Sequence, residues 1–122
     1  MNREDFDSFC ASLDGASHVE QWGGASVWKL GGKIFAICSH WGEGEYGKIS
    51  FKCSNIAYQI LPNLPGIIPA PYLARAKWVQ IENEEAMTGA DIRDHISEAY
   101  HIIMRKLTKA KRAELGLVLR VD

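Results

Sequence analysis

The stretch that decides the fold is IIPAPYLARAKWVQI, residues 67–81. Pro69 and Pro71 remove two backbone donors and push the residue before each of them toward extended geometry. Pro71 can also begin a single helical turn that ends at Ala74, because proline fits the first position of a helix. The residues that follow favour a strand. We therefore predict extended chain, one turn and then a strand over residues 77–82.

Side chains alternate along such a strand, which places two cations and an aromatic ring near one another. Lys77 shares a side with Val79 and Ile81, and Trp78 lies on the other side. Arg75 is close by, and the rest of the chain carries no complete catalytic signature. This grouping points to a binding surface rather than to a catalytic centre.

Length and composition are those of an ordinary globular domain. The 122 residues are 47% hydrophobic and 24% charged, and we assign residues 1–122 to one domain. No apolar run is long enough to cross a membrane, and the acidic N-terminal residues are unlike a signal peptide, so we predict a cytoplasmic protein. The net charge of −1 excludes a protein that coats nucleic acid by bulk charge, but it allows a local basic patch.

The three cysteines, Cys10, Cys38 and Cys53, include no close pair, and in a reducing compartment we expect them to be small buried hydrophobes. Cys38, His40 and Cys53 supply three possible metal ligands without paired Cys-x-x-Cys spacing, so we predict no metal site and no cofactor. Cys38 with His40 as nucleophile and base lacks an acidic orienting group, and we predict no catalytic residues and no enzyme.

The N-terminal residues predict one helix followed by a polar connection. Apolar side chains at helical spacing indicate a helix over residues 3–13, capped by Asn2: Phe6, Phe9, Cys10 and Leu13. Residues 14–24 predict the connection.

A β-hairpin comes next. Two apolar runs, residues 26–30 and 33–38, are joined by Gly31-Gly32, and a two-residue turn favours positive φ at such positions. Pairing Leu30 with Lys33 sets a register in which two further pairs lie opposite each other: Trp28 with Phe35, and Val27 with Ala36.

Both faces of this hairpin are apolar, which a single layer of helices cannot cover. In the predicted register one face carries Trp28, Leu30, Phe35 and Ile37. The other carries Val27, Ile34, Ala36 and Cys38. We expect the C-terminal tail, a second subunit or a ligand to close the second face, since large exposed apolar patches usually mark contact sites.

The remaining elements follow in order. Residues 40–47 predict a loop or wing tip, and the next strand turns Ile49 and Phe51 inward. Ser54 or Asn55 caps a short helix whose apolar positions are Ile56, Ile60 and Leu61.

The last long helix begins after Thr88 and carries a regular apolar stripe of Ile92, Ile96, Ala99, Ile103 and Leu107. A basic helical turn over residues 109–115 and an apolar tail over residues 117–121 end the chain. The order α-β-β-β-α-β-β-α predicts an α+β two-layer fold, an antiparallel sheet of about five strands with helices on one side.

Several of these segments, in this order, resemble the MmcQ/YjbR family of small bacterial proteins. The segments that carry the resemblance are Trp22-Gly23, residues 27–36, residues 50–53, residues 65–78, Ala99-Tyr100 and Lys106-Leu107. Gln21 stands where family members often have proline. The resemblance implies a fold similar to frataxin-like and secretion-chaperone-like domains, and a DNA-binding role through β-hairpin wings.

A nucleic-acid site would use strand-borne cations and one aromatic ring: Lys33, Lys48, Lys52, Arg75, Lys77 and Trp28. Cations on hairpins suit phosphates, and Trp28 or Trp78 could stack on an unpaired base. The alternative is that the cations are ordinary surface charges and that both tryptophans are core residues.

A second candidate site consists of Tyr72, Arg75 and Trp78, which could hold a small anionic or aromatic ligand. Tyr72 and Trp78 could instead anchor their segment against the last helix. As alternatives to DNA binding we keep a protein- or peptide-binding module or homodimer that uses the second apolar sheet face, and an enzyme of unknown class. A membrane partner is not expected.

Overall fold

An antiparallel sheet forms one layer of the molecule and helices form the other. The computed structural model describes residues 1–40 and 47–118. In this part of the chain the strands are β1 (Ala16–Gln21), β2 (Ala25–Leu30), β3 (Lys33–Ser39), β4 (Lys48–Lys52), β5 (Ile67–Pro69) and β6 (Trp78–Ile81). Their order across the sheet is β1-β2-β3-β4-β6-β5.

The helices are α1 (Arg3–Ala11), α2 (Asn55–Ile60), α3 (Gly89–Lys106) and α4 (Lys109–Glu114). The predicted α+β two-layer class is confirmed, with one strand more than expected. Among the described residues, no helix has both the length and the apolar character that a membrane crossing requires.

The helix starts follow the predicted capping residues. The Asn2 side chain accepts a hydrogen bond from the Asp5 backbone N–H at 2.8 Å, and Thr88 accepts one from Asp91 at 3.1 Å. The predicted apolar stripe of α3 is buried along its whole length, from Ile92 to Leu107. It packs on the sheet face formed by residues such as Phe51 of β4 and by their neighbours on β3 and β6.

Strand β1 occupies residues that the sequence assigned to a polar connection, so that prediction was wrong. His18 pairs with Trp28 and Val19 with Val27. Because β1 is an edge strand and largely exposed, it carries Ser17, His18 and Glu20 where an inner strand would carry apolar side chains. Its alternation is therefore too weak to detect from the sequence.

The β2–β3 hairpin turns at Gly31-Gly32 and pairs Leu30 with Lys33, as predicted, but its register then shifts. Phe35 is an extra residue between the pairs Lys29–Ile34 and Trp28–Ala36. The two predicted pairs, Trp28 with Phe35 and Val27 with Ala36, were therefore wrong. A β-bulge adds one residue to one strand and so reverses the side that every later residue faces.

The bulge redistributes the apolar side chains of β3 between the two faces. Phe35, Ala36 and Cys38 all lie in the main core beneath the helices. Ile37 lies on the second face, in a smaller cluster with Val27. The helix side thus receives the large ring and two small side chains, which leaves room for α3 to approach.

The chain itself covers the second face. Residues 70–77, which we call the cover loop, connect β5 to β6. Ala70 and Leu73 of this loop, with Trp78 at the start of β6, pack on Val27 and Ile37, which are fully buried. The expectation that a tail, a second subunit or a ligand closes this face was wrong, because the loop supplies the missing layer.

Lys77 also differs from its predicted place. It is not on the strand: it ends a 3₁₀ turn over Ala74–Ala76 with φ of 62°, in the left-handed region. Val79 and Ile81 of β6 point into the main core.

Helix α2 begins where the sequence predicts, but two of its three predicted apolar positions are exposed. Ser54 accepts a hydrogen bond from the Ala57 N–H at 3.1 Å. Ile56 is 71% exposed and Ile60 is also exposed, so only Leu61 of the predicted apolar positions reaches the core. The central residues of the predicted loop at 40–47, and the end of the predicted tail at 117–121, lie outside the described residues.

A polar network joins α1 to the first hairpin. Asp7 accepts hydrogen bonds from the Trp28 indole N–H, at 2.9 Å, and from the Ser26 hydroxyl. His18 Nε2 lies 2.7 Å from the Ser26 oxygen. Trp28 is thus held in the core by the packing of its ring and by the hydrogen bond of its indole N–H to Asp7.

We expect Asp7→Ala to lower the free energy of unfolding by about 2–3 kcal/mol, because it leaves two buried donors without their acceptor. Asp5→Ala, in the same helix, is the matched control. Asp5 is exposed, and its loss removes only a helix-dipole contribution of below ~1 kcal/mol. Urea unfolding of the three proteins measures the difference, and equal midpoints for the two variants would contradict it.

All three cysteines are buried, as predicted. Burial raises the pKa of Cys38 to about 11 and that of Cys53 to about 11, and it also raises the pKa of Cys10. Thiolate is the reactive form, so these shifts keep the Cys38 and Cys53 thiols protonated and unreactive near neutral pH. This arrangement does not support Cys38 as a nucleophile.

A disulfide-exchange reagent should therefore label the native protein no faster than the protein unfolds, and should label three thiols at once in urea. Raising the pH from 7 to 9 should leave the native rate limited by opening of the core. Rapid labelling of one thiol under native conditions would show an accessible cysteine and overturn this account.

Candidate nucleic-acid interface

A concavity lies at the end of the sheet where three strands and a helix meet. Antiparallel pairing brings the start of β3, the end of β4 and the start of β6 to the same end of the sheet, where Lys52 pairs with Trp78. The last turns of α3 pack above them. The concavity has a volume of about 430 Å³, and we call it the basic concavity because of its lining: Lys33, Lys52, Asn55, Arg75, Ala76, Lys77, Trp78, Ile103 and Lys106.

Five cations from β3, β4, the cover loop and α3 face this space: Lys33, Lys52, Arg75, Lys77 and Lys106. Within residues 1–40 and 47–118, no ion pair joins any of them to a carboxylate. Some cations elsewhere are paired, such as Arg3 with Glu20 at 3.1 Å and Arg105 with Glu98 at 3.2 Å. Positive charge in the basic concavity is therefore not neutralised by the described part of the chain.

The crowding of positive charge affects the pKa of Lys52. Partial burial, and then the neighbouring charges of Lys106 and Lys77, lower the pKa of Lys52. Its ammonium group donates a hydrogen bond to the carbonyl of Ala76 in the cover loop. An anion in the concavity would relieve the repulsion and favour the charged form of Lys52.

Lys77 is held in place by its own backbone. Its carbonyl accepts a hydrogen bond from the Cys53 N–H at 2.8 Å, and its ammonium group lies 5.3 Å from the centre of the Tyr58 ring. A cation over an aromatic face is attracted to it. Both the backbone and the side chain of Lys77 are therefore held by contacts with neighbouring residues.

The structure does not bring Lys48 or Trp28 to this site. Lys48 is 8% exposed, and its ammonium group lies 3.7 Å from the Glu82 carboxylate and 3.1 Å from the Glu82 carbonyl oxygen. Trp28 is 7% exposed in the main core. Neither side chain is presented to a nucleic acid, for which both were candidates.

The second candidate set is divided between surfaces. Arg75 lines the basic concavity, Trp78 borders it but is buried in the cluster on the second face of the sheet, and Tyr72 is 99% exposed. Trp78 anchors its segment, although against β2 and β3 rather than against the last helix. At this exposure, Tyr72 does not anchor its segment to the described part of the chain.

Lys106 is the site residue that the sequence reasoning missed. The sequence assigned the nearby basic residues only to a helical turn over residues 109–115, where Lys111 pairs with Glu114 at 3.5 Å and Arg112 donates to the Leu107 carbonyl at 2.6 Å. Lys106 follows Ile103 by three positions, so the two share a helix face. That spacing was the available signal.

A second surface feature lies at the far side of the cover loop. The turn between β1 and β2 and the tip of the loop enclose an apolar groove of about 440 Å³, lined by Trp22, Pro71, Tyr72 and Leu73. We call it the aromatic groove. Among the described residues, no three His, Cys, Asp or Glu side chains are placed to hold a metal ion.

Comparison with known proteins places this architecture in a family. The YjbR family model matches residues 11–102. A crystal structure of a Deinococcus radiodurans protein with a DUF419 domain is similar at a TM-score of 0.81 and 21% identity, covering 99% of this chain and 92% of that one.

A crystal structure of a Pseudomonas syringae protein is similar at a TM-score of 0.68 and 17% identity, covering 84% of this chain and 98% of that one. No curated protein sequence matches this chain. At these identities the two structures show the fold alone. The family match covers most of the sequence, and the chain belongs to the YjbR family.

Proposed function

We propose that the protein binds DNA through phosphate contacts in the basic concavity. The observation that supports this most directly is the set of five cations that line one concavity with no ion-pairing carboxylate in the described part of the chain. Unpaired cations gathered against their mutual repulsion are typical of a surface that receives a polyanion.

The residue types suit phosphate. Four of the five cations are lysines, which act as point charges on long flexible stems, and Arg75 offers a planar fork that can bind two phosphate oxygens together. The cations come from four elements fixed by the sheet and by α3, so their spacing is set before a ligand arrives. Most such contacts go to the DNA backbone, so we expect weak sequence preference.

The net charge of −1 does not oppose this proposal. Interactions between exposed charges are screened beyond roughly 8 Å at physiological salt, so a DNA strand in the concavity senses the five nearby cations more than the total. Association should accordingly be strong only at low salt.

The fold removes the main argument for the protein-binding alternative. It required an open second face on the β2–β3 hairpin, and Val27 and Ile37 of that face are fully buried by the cover loop and Trp78. The enzyme alternative required a polar pocket with paired catalytic groups. The described lining of the basic concavity carries cations and one amide, Asn55, but no acid or histidine to act as a base.

Fluorescence anisotropy of a labelled duplex across a salt series tests the proposal. If all five cations meet phosphates, the logarithm of the association constant should fall with the logarithm of the salt concentration at a slope of about −4.5. The absence of duplex binding even at 20 mM salt would overturn the proposal. A slope close to zero would overturn the phosphate contacts.

A matched pair of arginine variants locates the contact. Arg75→Gln should weaken duplex binding several-fold and reduce the slope by about 1. Arg93→Gln should change neither, because Arg93 is an exposed arginine of α3 that lies roughly 20 Å along the helix from Lys106. Equal losses in the two variants would show that the protein attracts DNA without using the concavity.

A further inference from the structure

The cations of the basic concavity converge on one space instead of following a track along the surface. They come from β3, β4, the cover loop and α3, four elements that meet at one end of the sheet. The space that they line has a volume of about 430 Å³, which is in the range of sites that hold a single small ligand. A concave site of this size suits a group that projects from a ligand better than it suits the side of a duplex.

The charge of the concavity favours a ligand group with more than one negative charge. Five cations line the space, and within residues 1–40 and 47–118 none of them forms an ion pair with a carboxylate. Burial, and then the charges of Lys106 and Lys77, already lower the pKa of Lys52, because nearby like charges disfavour its protonated form. A multiply charged group at one point relieves more of this repulsion than a singly charged group does.

The phosphates within a nucleic acid strand differ in charge from a phosphate at its end. A phosphodiester within the strand carries one negative charge and has two free oxygens. A phosphate monoester carries a charge of about −1.5 to −2 at pH 7 and has three strong acceptor oxygens. A strand that ends in a monoester therefore presents its largest local charge at a projecting point.

The donors of the lining suit the three oxygens of a monoester. Arg75 has a planar fork that binds two oxygens together, and each lysine ammonium group adds a charged donor. The Asn55 side chain lines the same space and offers a neutral amide donor. Ala76 and Ile103 are among the apolar residues that complete the lining. Apolar walls exclude water and so strengthen the attraction between the cations and a bound anion.

We propose that the basic concavity binds the terminal phosphate monoester of a nucleic acid strand in preference to the phosphodiesters within the strand. This inference rests on the proposed function and deepens it. A free nucleotide carries the same monoester group, so the test includes one. A strand end differs from a free nucleotide because its neighbouring phosphodiesters add to the attraction by the cations.

The experiment measures fluorescence anisotropy at low salt with a twelve-base-pair duplex labelled on a central base. The duplex has hydroxyl groups at all its ends, phosphates at its 5′ ends, or phosphates at its 3′ ends. A methyl ester of the tighter-binding phosphate keeps the phosphorus but has only a single charge. A closed dumbbell of the same helix length has no ends. Thymidine monophosphate serves as the competing free nucleotide.

We expect one of the phosphorylated duplexes to bind roughly ten-fold more tightly than the duplex with hydroxyl ends, which is the effect of one or two additional charge-assisted hydrogen bonds. The methyl ester and the dumbbell should bind like the duplex with hydroxyl ends. Thymidine monophosphate should compete only at concentrations far above the dissociation constant of the phosphorylated duplex, because it lacks the neighbouring phosphodiesters.

A charge-matched pair of variants on α3 locates the monoester site. Lys106→Gln removes one cation of the concavity and should reduce the preference for the phosphorylated end from roughly ten-fold to roughly three-fold. Arg93→Gln removes the same charge roughly 20 Å along the helix and should keep the full preference. Both residues are exposed, so neither substitution disturbs the core.

Several results would overturn the inference and leave the proposed function in place, provided that Arg75→Gln still weakens duplex binding. These are equal binding of phosphorylated and hydroxyl ends, a methyl ester that binds as tightly as the monoester, and thymidine monophosphate that binds as tightly as the phosphorylated duplex. An equal loss of preference in the Lys106 and Arg93 variants would place the monoester outside the concavity and also overturn it. If no duplex binds even at low salt, the proposed function fails as well.

Discussion

The rest of the structure depends on the contact between the cover loop and the second face of the β2–β3 hairpin. The hairpin is apolar on both sides, and α3 can cover only one of them. Ala70, Leu73 and Trp78 supply the other layer and remove Val27 and Ile37 from water. Each large side chain buried in this way contributes about 1.5–3 kcal/mol. That stabilisation can sustain two left-handed residues in the same loop, Tyr72 and Lys77, and so connects the packing of the core to the shape of the surface.

The sequence predicts the fold class, the hairpin and α3 correctly because each has a strong local signal, such as the Gly31-Gly32 turn and the five-position stripe ending at Leu107. It fails where local and tertiary signals conflict. Strand β1 is polar because it is an edge. The alternation of side chains along a strand does not predict the bulge at Phe35. This extra residue reverses the side that Ala36 and every later residue of β3 face.

The sequence likewise predicts only part of the candidate site. Lys33, Lys52, Arg75 and Lys77 come together because antiparallel pairing puts one end of β3, β4 and β6 side by side. The sequence predicts the segments that carry these cations but not the pairing of β4 with β6. Lys48 belongs to the opposite end of β4, so strand position alone does not make a cation part of the site. Helical spacing puts Lys106 on the same face of α3 as Ile103, but the sequence does not show how α3 lies across the sheet and so does not place that face at the concavity.

The two edges of the sheet have a consequence for self-association. An open sheet exposes unpaired backbone groups on its outermost strands, which can recruit strands from other molecules. Here β5 has three residues, and its last, Pro69, has no N–H to donate. The opposite edge, β1, carries Glu20 in an ion pair with Arg3. Charge, brevity and proline thus discourage strand addition at both ends, so that crowded copies of this chain resist forming extended intermolecular sheets.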